Sequence, residues 1–293
     1  MARRRKPKAP DSKVSGAVII NKPAGCTSHD VVDKVRAALG TRKVGHAGTL
    51  DPDATGVLVL GIGLGTKLLE FVTGTDKTYE GDITFGVETH TLDASGEVTQ
   101  RHEMSFTPAE VAEAATQFVG DIEQIPPMVS AVKVDGQRLH TLARQGVEVE
   151  RKSRPVRITS FTLTPSENPL VYSFKAECSS GTYIRTLAAD LGQALNGGAH
   201  LSRLERTHVG PFGLDDTCTV DDVKLLPLET LTRGMVVLDV DEVVASQVSN
   251  GRSLGPSAGA GRIAVRGPSR QLLAIYEARD GELRAAKVFT ESN

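Results

Sequence analysis

Hydrophobic positions along the chain cluster in short runs, which either alternate with polar residues or stay apolar throughout. Both patterns are typical of β-strands in a folded sheet. Turn-forming residues, such as those of Lys22–Gly25, separate the runs. The pattern predicts strands at Ala17–Asn21, Val57–Leu60, Lys77–Val87, Val156–Leu163 and Val171–Cys178.

Fewer segments show helical spacing. Between Ser28 and Gly40 the apolar residues fall on one face, with Ser28 placed to cap the helix and Gly40 placed to end it. Thr107–Glu110 is a capping box with proline at the first helical position. Because strands and helices do not alternate strictly, the predicted fold class is α+β rather than a doubly wound sheet. Helices are predicted at Ser28–Leu39, Lys67–Val72, from Thr107 to about Val119, at Thr182–Leu195 and from Thr219.

The pattern changes after about Thr232. A short helix and three short strands, separated by glycine-rich turns, predict a small β-rich module. The helix is predicted at Val240–Val248, and the strands at Arg262–Val265, Leu272–Glu277 and Leu283–Phe289. The sequence thus predicts three parts: a disordered basic tail over residues 1–13, a large domain over residues 14–231 and a small domain over residues 232–293.

Composition narrows the class of protein. Of the 293 residues, 39% are hydrophobic and 24% are charged, which is typical of a folded soluble protein. No apolar run approaches the roughly 18 residues of a membrane span, and no apolar segment of a secretory signal follows the N-terminal charges. The three cysteines are far apart and form no CxxC pair or zinc pattern. A cytoplasmic protein without a metal is therefore predicted.

The net charge of −2 conceals two basic stretches. Residues 1–10 carry five basic groups and no acidic group. The stretch Ala131–Arg157 carries seven basic residues against three acidic ones, and among them are Lys133, Arg144 and Arg154. Such a stretch suits contact with nucleic-acid phosphates, although composition alone is equally compatible with a solvated charged loop.

The glycine-rich loop Gly45–Gly56 directly precedes the apolar run that begins at Val57. Glycine lets the backbone approach a ligand closely, and Pro52 pushes Asp51 into an extended conformation. A carboxylate fixed beside a buried strand is well placed to act as a nucleophile or a base. From spacing alone, the commoner interpretation of Asp-Pro is the start of a turn.

Two further loops lie between a strand and a helix. Gly61–Lys67 has Thr66 where the dinucleotide fingerprint needs glycine, and it lacks the order Gly-Lys-Ser/Thr of a phosphate loop. It therefore predicts tight strand–helix packing and no nucleotide cofactor. Cys178–Arg185 opens a helix, where anions bind well. Arg185 can hold a carboxylate or a phosphate there, or form an ordinary surface ion pair.

Seven motifs, spread over roughly Ser15–Leu231, resemble the TruB family of tRNA pseudouridine synthases and occur in the order found in that family. Seven such motifs in order do not arise by chance. They are Asn21–Pro23 with Thr27–Ser28, Gly45–Pro52, Gly65–Lys67, Lys77–Tyr79, Gln124–Pro127 with Ser130–Lys133, Ala143–Gly146, and Gly181–Arg185 with Asp190–Gly192.

The resemblance implies the isomerisation of uridine 55 in the T-loop of tRNA to pseudouridine. The N-glycosidic bond breaks, the uracil turns, and C5 is joined to the ribose, with no cofactor required. The implied fold is a mixed sheet with flanking helices and a central cleft, followed by a small PUA-like RNA-binding domain. The implied partner is tRNA, bound at its T-arm. The C-terminal module, which matches the family only loosely, is expected to contact the acceptor stem, and a monomer is expected.

The resemblance also implies roles for single residues. Asp51 is the catalytic carboxylate, and Arg185 keeps it charged and oriented. Tyr79 lies against the flipped-out base and takes part in proton transfer. His46 fills the space that the base leaves, and Lys22 lies near the site, where we expect it to contact a phosphate. The remaining residues implied are Tyr183 and Leu204, which line the pocket, and Lys133, Arg144 and Arg154 of an RNA-binding insertion at about residues 127–157.

Two other functions are compatible with the motifs. A guide-RNA-dependent relative performs the same chemistry inside a ribonucleoprotein, and a non-catalytic RNA-binding or RNA-folding protein would keep only the fold. The length and motif order fit the bacterial stand-alone form better than the guide-dependent form. The presence of Asp51, Tyr79 and Arg185 argues against the non-catalytic alternative.

Overall fold

The computed structural model describes residues 14–130, 133–134, 137–138, 149–256 and 261–289. Strands β1–β13 lie, in chain order, at Gly16–Lys22, Val44–His46, Thr55–Ile62, Lys77–Phe85, Val87–Thr89, Val98–Arg101, Gly120–Gln124, Lys133–Val134, Gln137–Arg138, Arg154–Pro165, Val171–Cys178, Ala199–Val209 and Phe212–Gly213. Helices α1–α4 lie at Ser28–Leu39, Leu69–Thr73, Pro108–Thr116 and Ile184–Ala194. The C-terminal part adds β14 at Val236–Asp239, α5 at Glu242–Ser249, β15 at Arg262–Arg266, β16 at Leu272–Arg279 and β17 at Glu282–Val288.

One large mixed sheet organises the chain up to β13. Its strand order is β1-β3-β12-β4-β11-β10-β7, with β2 paired to β3 and β13 paired to β12. The pair β3–β12 is parallel, and the other pairs are antiparallel. Helices α3 and α4 cover one part of the sheet and α1 another, each over its own hydrophobic cluster. The predicted α+β class is confirmed.

Sequence patterning located the five strands predicted for the large domain, which correspond to β1, β3, β4, β10 and β11. Strand β4 shows why the pattern is informative: its buried and half-exposed residues alternate along all nine positions. One predicted element is absent, and one long strand was missed. No helix follows Thr219, because the chain there bonds to the edge of β1, with bridges Ile20–Cys218 and Ala17–Leu226. The long strand β12 was not predicted at all.

Helix α1 begins at Ser28 as predicted, but its cap lies one residue before the predicted one. Thr27, not Ser28, is the cap: its hydroxyl accepts the N–H of Asp30, and the carboxylate of Asp30 accepts the N–H of Thr27. Ser28 instead holds the backbone of Leu50, donating to its carbonyl at 3.1 Å and accepting its N–H at 2.9 Å. Gly40 ends the helix as expected, with a left-handed φ of 61°.

The C-terminal part forms a second, four-stranded sheet in the order β14-β15-β16-β17, with α5 packed on it. Its inner face joins a hydrophobic cluster of the large sheet, because Leu272, Ile275 and Phe289 pack with Phe71 and Leu231. Across the same contact, the guanidinium of Arg262 lies 4.8 Å from the ring centre of Phe71. The small sheet is therefore docked against the large one through a shared core.

Candidate active site

A cavity of about 410 Å³ opens where the loop before β3, the start of β4, strand β12 and the start of α4 meet. A second cavity of about 320 Å³ lies beside it, and Asp51, Arg185 and Leu204 line both. The first cavity is large enough for a nucleobase or a small ligand of similar size. Its lining contains Asp51, Lys77, Tyr79, Tyr183, Arg185, Leu204 and Arg206.

Asp51 and Arg185 form a two-pronged ion pair in this cavity. Nε of Arg185 lies 3.0 Å from Oδ2 of Asp51, and Nη2 lies 3.2 Å from Oδ1. The arginine side chain is 6% exposed, whereas the aspartate side chain is 42% exposed. This planar fork fixes the orientation of the carboxylate, and the exposure leaves the carboxylate accessible from the cavity.

Three further groups hold Arg185 in place. Nη1 donates to the carbonyl of Thr91 at 3.0 Å and lies 3.5 Å from Oδ2 of Asp93. Nη2 donates to the carbonyl of Val129 at 2.9 Å. Asp93 was not among the predicted site residues, because it stands in a polar turn where an aspartate is an ordinary turn former. The site thus contains a buried arginine between two carboxylates.

The surrounding protein partly desolvates the Asp51 carboxylate and so raises its pKa above the ordinary value; the Arg185 fork opposes that rise, and the nearby charge of Asp93 adds to it. The competition leaves this carboxylate easier to protonate than a solvated aspartate. A carboxylate with a shifted pKa in a cleft, held by an oriented cation, is typical of a catalytic site.

The buried side chain of Lys22 anchors the loop that carries Asp51. Lys22 is fully buried, and its ammonium donates to the carbonyls of Pro23, Cys26 and Pro52 at 2.8, 2.7 and 2.9 Å. All three of its protons are therefore used within the protein, so the phosphate contact expected of Lys22 does not fit the structure. Its position, by contrast, ties β1 to the residue that follows Asp51.

Tyr79 and Arg206 lie opposite each other on β4 and β12. Tyr79 is 9% exposed and Arg206 is 1% exposed, and both line the cavity. Nε of Arg206 donates to the carbonyl of Val57 at 2.9 Å, and Nη2 donates to that of Gly48 at 3.1 Å. The sequence analysis missed Arg206, because a charged residue on an unpredicted strand looks like a surface residue.

The other predicted pocket residues occupy different places around the cavity. Leu204 and Tyr183 line it, and the backbone N–H and carbonyl of Tyr183 are both held by the side-chain amide of Gln124. His46 ends β2 beside the same loop, and burial, followed by the charge of Arg206, lowers its pKa. His46 does not line the first cavity.

The predicted RNA-binding insertion lies only partly within the described residues. Arg144 lies outside the described residues, and for Lys133 only its place in β8 is described. Arg154 begins β10 opposite Gln124, and its buried Nε has no hydrogen-bond partner among the described residues. Within the described part of the chain, no group of three or more His, Cys, Asp or Glu side chains is arranged to hold a metal ion.

Two family models match adjacent stretches of the chain. The TruB family pseudouridylate synthase N-terminal domain matches residues 36–184, and the tRNA pseudouridylate synthase B C-terminal domain matches residues 185–244. The chain belongs to the TruB family. The family resemblance inferred from the seven motifs is confirmed.

Curated relatives match this TruB-family chain over nearly its whole length. The tRNA pseudouridine synthase B of Geobacillus thermodenitrificans is 40% identical, covering 94% of this chain and 100% of the relative. The protein of the same name from Mycobacteroides abscessus is 43% identical, covering 95% and 97%. That from Symbiobacterium thermophilum is 48% identical over a shorter match, covering 82% and 83%.

Solved structures share the TruB-family fold. A chain in an H/ACA RNP bound to a substrate RNA containing 2'-deoxyuridine superposes with a TM-score of 0.71 at 21% identity, covering 94% of this chain and 85% of that chain. A chain in a Cbf5-Nop10-Gar1 complex gives a TM-score of 0.71 at 23% identity, covering 94% and 84%. At these identities the likeness concerns the fold alone. No helix in the described ranges is long and apolar enough to cross a membrane.

Proposed function

We propose that this chain isomerises uridine 55 in the T-loop of tRNA to pseudouridine, with Asp51 as its catalytic carboxylate. The relatives named tRNA pseudouridine synthase B, matched over nearly their full length, support the isomerisation of uridine in tRNA as the activity. The observation that carries the role of Asp51 is its fork with Arg185 at the wall of a cavity large enough for a base.

The target uridine is stacked within a folded RNA loop, so it must leave the stack to enter the cavity. Asp51 then acts as an anion on the flipped nucleotide, and Arg185 keeps its two oxygens in a fixed orientation. The bond between N1 and C1′ breaks, the uracil turns within the cavity, and C5 forms a bond to C1′. Substrate and product are isomers with the same atoms, so the reaction needs no group donor.

Tyr79 supports the second half of the reaction. Its buried ring offers a face for the uracil, and such stacking contributes about 1–3 kcal/mol per base. After C5 has joined the ribose, its proton must leave and N1 must gain one. The phenol oxygen of Tyr79 is the group we assign to this transfer.

The RNA contacts outside the cavity are proposed from charge. Arg154, together with Lys133 and Arg144, would contact phosphates of the T-arm, and the small C-terminal sheet would contact the acceptor stem. We place the C-terminal RNA-binding domain at residues 232–293 and the catalytic domain at residues 14–231. We also propose that the protein acts as a monomer in the cytoplasm.

The alternative is a guide-RNA-dependent enzyme. Chains in ribonucleoproteins share the fold, and the fold by itself does not distinguish the two functions. The discriminating experiment incubates the purified chain with a bare T-arm stem-loop and no guide RNA, and maps pseudouridine by carbodiimide labelling and primer extension. The control is the same stem-loop with cytidine at position 55. Pseudouridine at position 55 alone supports the stand-alone function, and product only after a guide RNA is added supports the alternative.

A further inference from the structure

Arg206 is the largest fully buried side chain in the described part of the chain, with 1% of its surface exposed. A buried arginine normally has a carboxylate partner, because desolvating an unpaired charge is expensive. None of the ion pairs among the described residues includes Arg206. Its positive charge therefore remains available to the cavity that it lines.

The guanidinium of Arg206 connects three elements of the site. From β12 it reaches the carbonyl of Val57 on β3 and the carbonyl of Gly48 in the loop before β3, three residues before Asp51. The backbones approach closely here, since a Cβ on Gly56 would lie 2.2 Å from the carbonyl oxygen of Arg206. Gly56 also has a φ of 106°, which glycine adopts without strain. Two backbone carbonyls and the close packing of β12 against Gly56 thus fix the place of the arginine.

Tyr79 faces the same guanidinium. It is the direct cross-strand neighbour of Arg206, so the two side chains lie on the same face of the sheet. The titratable and charged groups that act on the Tyr79 hydroxyl are Arg206 from β12, Cys178 from β11 and Asp51 from the loop. Burial raises the pKa of Tyr79, and the charge and hydrogen bond of Arg206 oppose that rise.

Other cations near Arg206 cannot take its place. Lys22 donates to three carbonyls, and Lys77 donates to the carbonyls of Thr73 and Thr75. Both ammonium groups are therefore already satisfied by backbone oxygens. In Arg206, by contrast, Nε and Nη2 make the two carbonyl bonds, and the guanidinium also has a side-chain hydrogen bond with Tyr79.

We propose that Arg206 is a positioning residue for the isomerisation: it fixes the phenol of Tyr79 relative to the Asp51 loop and keeps a positive charge beside the phenol oxygen. This charge stabilises the phenolate form of Tyr79, which is the form able to accept a proton from carbon. The inference deepens the proposed function and rests on it for the identity of the proton donor.

The proton transfer balances without any other reactant. The phenolate of Tyr79 takes the proton from C5 once C5 has joined C1′, and the electrons of that C–H bond restore the conjugated ring. The charge passes to N1, which takes the proton back from the phenol. Because burial raises the pKa of Tyr79, the free protein holds it mainly as the phenol. The reaction uses the ionised fraction, which Arg206 enlarges and which is regenerated when N1 takes the proton back.

The test measures the titration of Tyr79 directly, in the full-length protein and without RNA. The four tyrosines are replaced biosynthetically by 3-fluorotyrosine, the ¹⁹F resonance of Tyr79 is assigned with Tyr79→Phe, and its shift is followed from neutral to alkaline pH. We expect Arg206→Gln to raise the titration midpoint by about one pH unit or more, since a stabilising charge is lost. The matched control is Arg284→Gln, at an exposed arginine of β17, which leaves the midpoint unchanged.

Arg206→Lys covers the case in which the glutamine variant does not fold, as judged by its ¹⁹F dispersion and circular dichroism. Lysine has no nitrogen at the position of Nε, which donates to the carbonyl of Val57, and its single ammonium does not reproduce the planar fork. This variant must therefore also raise the midpoint, by less than glutamine does. An unchanged Tyr79 midpoint in every folded Arg206 variant overturns the inference.

The second readout is the primary isotope effect in single-turnover reactions on tRNA deuterated at uracil C5. We expect Arg206→Gln to slow turnover about tenfold or more with a larger isotope effect than the wild type, and to add no further loss in the Tyr79→Phe background. Equal losses in both backgrounds would assign Arg206 a purely structural role. Failure of the proposed function is distinguishable, because it appears as an inactive wild type and leaves the Tyr79 titration unaffected.

Discussion

Two nitrogens of Arg185 face the two carboxylate oxygens of Asp51, with Nε 3.0 Å from Oδ2 and Nη2 3.2 Å from Oδ1. The two residues are 134 positions apart in the chain, and they come from the start of α4 and from the loop before β3. Their contact joins α4 to the loop before β3 at the wall of the cavity. It also orients the carboxylate that we propose as the catalytic group.

The fork geometry of Arg185 predicts the behaviour of its lysine variant. Arg185→Lys keeps the positive charge but can make only one contact to Asp51, so the carboxylate loses its fixed orientation. We expect the single-turnover rate on tRNA to fall by about 10- to 100-fold, which corresponds to the ~1.5–3 kcal/mol of a charged hydrogen bond. The control is Arg279→Lys, at an exposed position. A wild-type rate in Arg185→Lys would make the fork irrelevant to catalysis.

The charge of Asp93 should affect how the reaction rate depends on pH. Because burial and the Asp93 charge raise the pKa of Asp51, activity falls with decreasing pH earlier than it would for a solvated aspartate. Asp93→Asn removes the like charge, so the acidic limb of the rate profile should move to lower pH while the plateau falls. An acidic limb that stays in place, with Asp121→Asn as the exposed control, would contradict the coupling.

Lys22 should matter for folding rather than for RNA contact. Lys22→Met leaves three carbonyls without their donor in a buried place, and we expect a loss of about 3 kcal/mol in the free energy of unfolding. Urea unfolding measures the loss, and Lys175→Met, at an exposed lysine of β11, should stay within about 0.5 kcal/mol of the wild type. Weakened tRNA binding at unchanged stability would instead support the phosphate contact.

The lowered pKa of Lys77 predicts that the free energy of unfolding rises with pH in the alkaline range. Burial, followed by the charge of Arg206, lowers its pKa from 10.5 to about 8. Between these values the unfolded chain binds more protons than the folded chain, so stability increases with pH in this window. Relative to Lys77→Met, the wild type should gain ~2 kcal/mol between pH 7 and pH 10. Parallel stability curves for the two proteins would show that Lys77 has an ordinary pKa.

The sequence predicted those parts of the fold that are determined by local signals, such as the alternation of buried and exposed residues or a helix cap. Strand β4 alternates because one of its faces is buried, and α1 has a cap, an apolar face and a terminal glycine. Strand β12 escaped prediction, because it lies in the middle of the sheet yet carries charged residues, among them Arg206 inside the protein. Burial of that charge depends on carbonyls from two other segments, which local patterning does not reveal.

The candidate site was predicted from motif order rather than from spacing. Nothing in the spacing links Asp51 with Tyr79 and Arg185, which meet only through the packing of β4, α4 and the loop before β3. Asp93 and Arg206 stayed unnoticed for the same reason, since their partners lie far away in the chain. Long-range contacts of this kind need the folded structure.

The central claim is that Asp51 performs the chemistry on a tRNA uridine. Its most direct test incubates unmodified tRNA with wild type, Asp51→Asn and Asp53→Asn under single-turnover conditions, and maps pseudouridine along the whole tRNA. Asp53 is exposed and two residues away in the same loop, so it controls for the loss of a nearby charge. We predict pseudouridine at position 55 with wild type and Asp53→Asn, and none with Asp51→Asn, which still binds the tRNA. Substantial turnover by Asp51→Asn would contradict the claim.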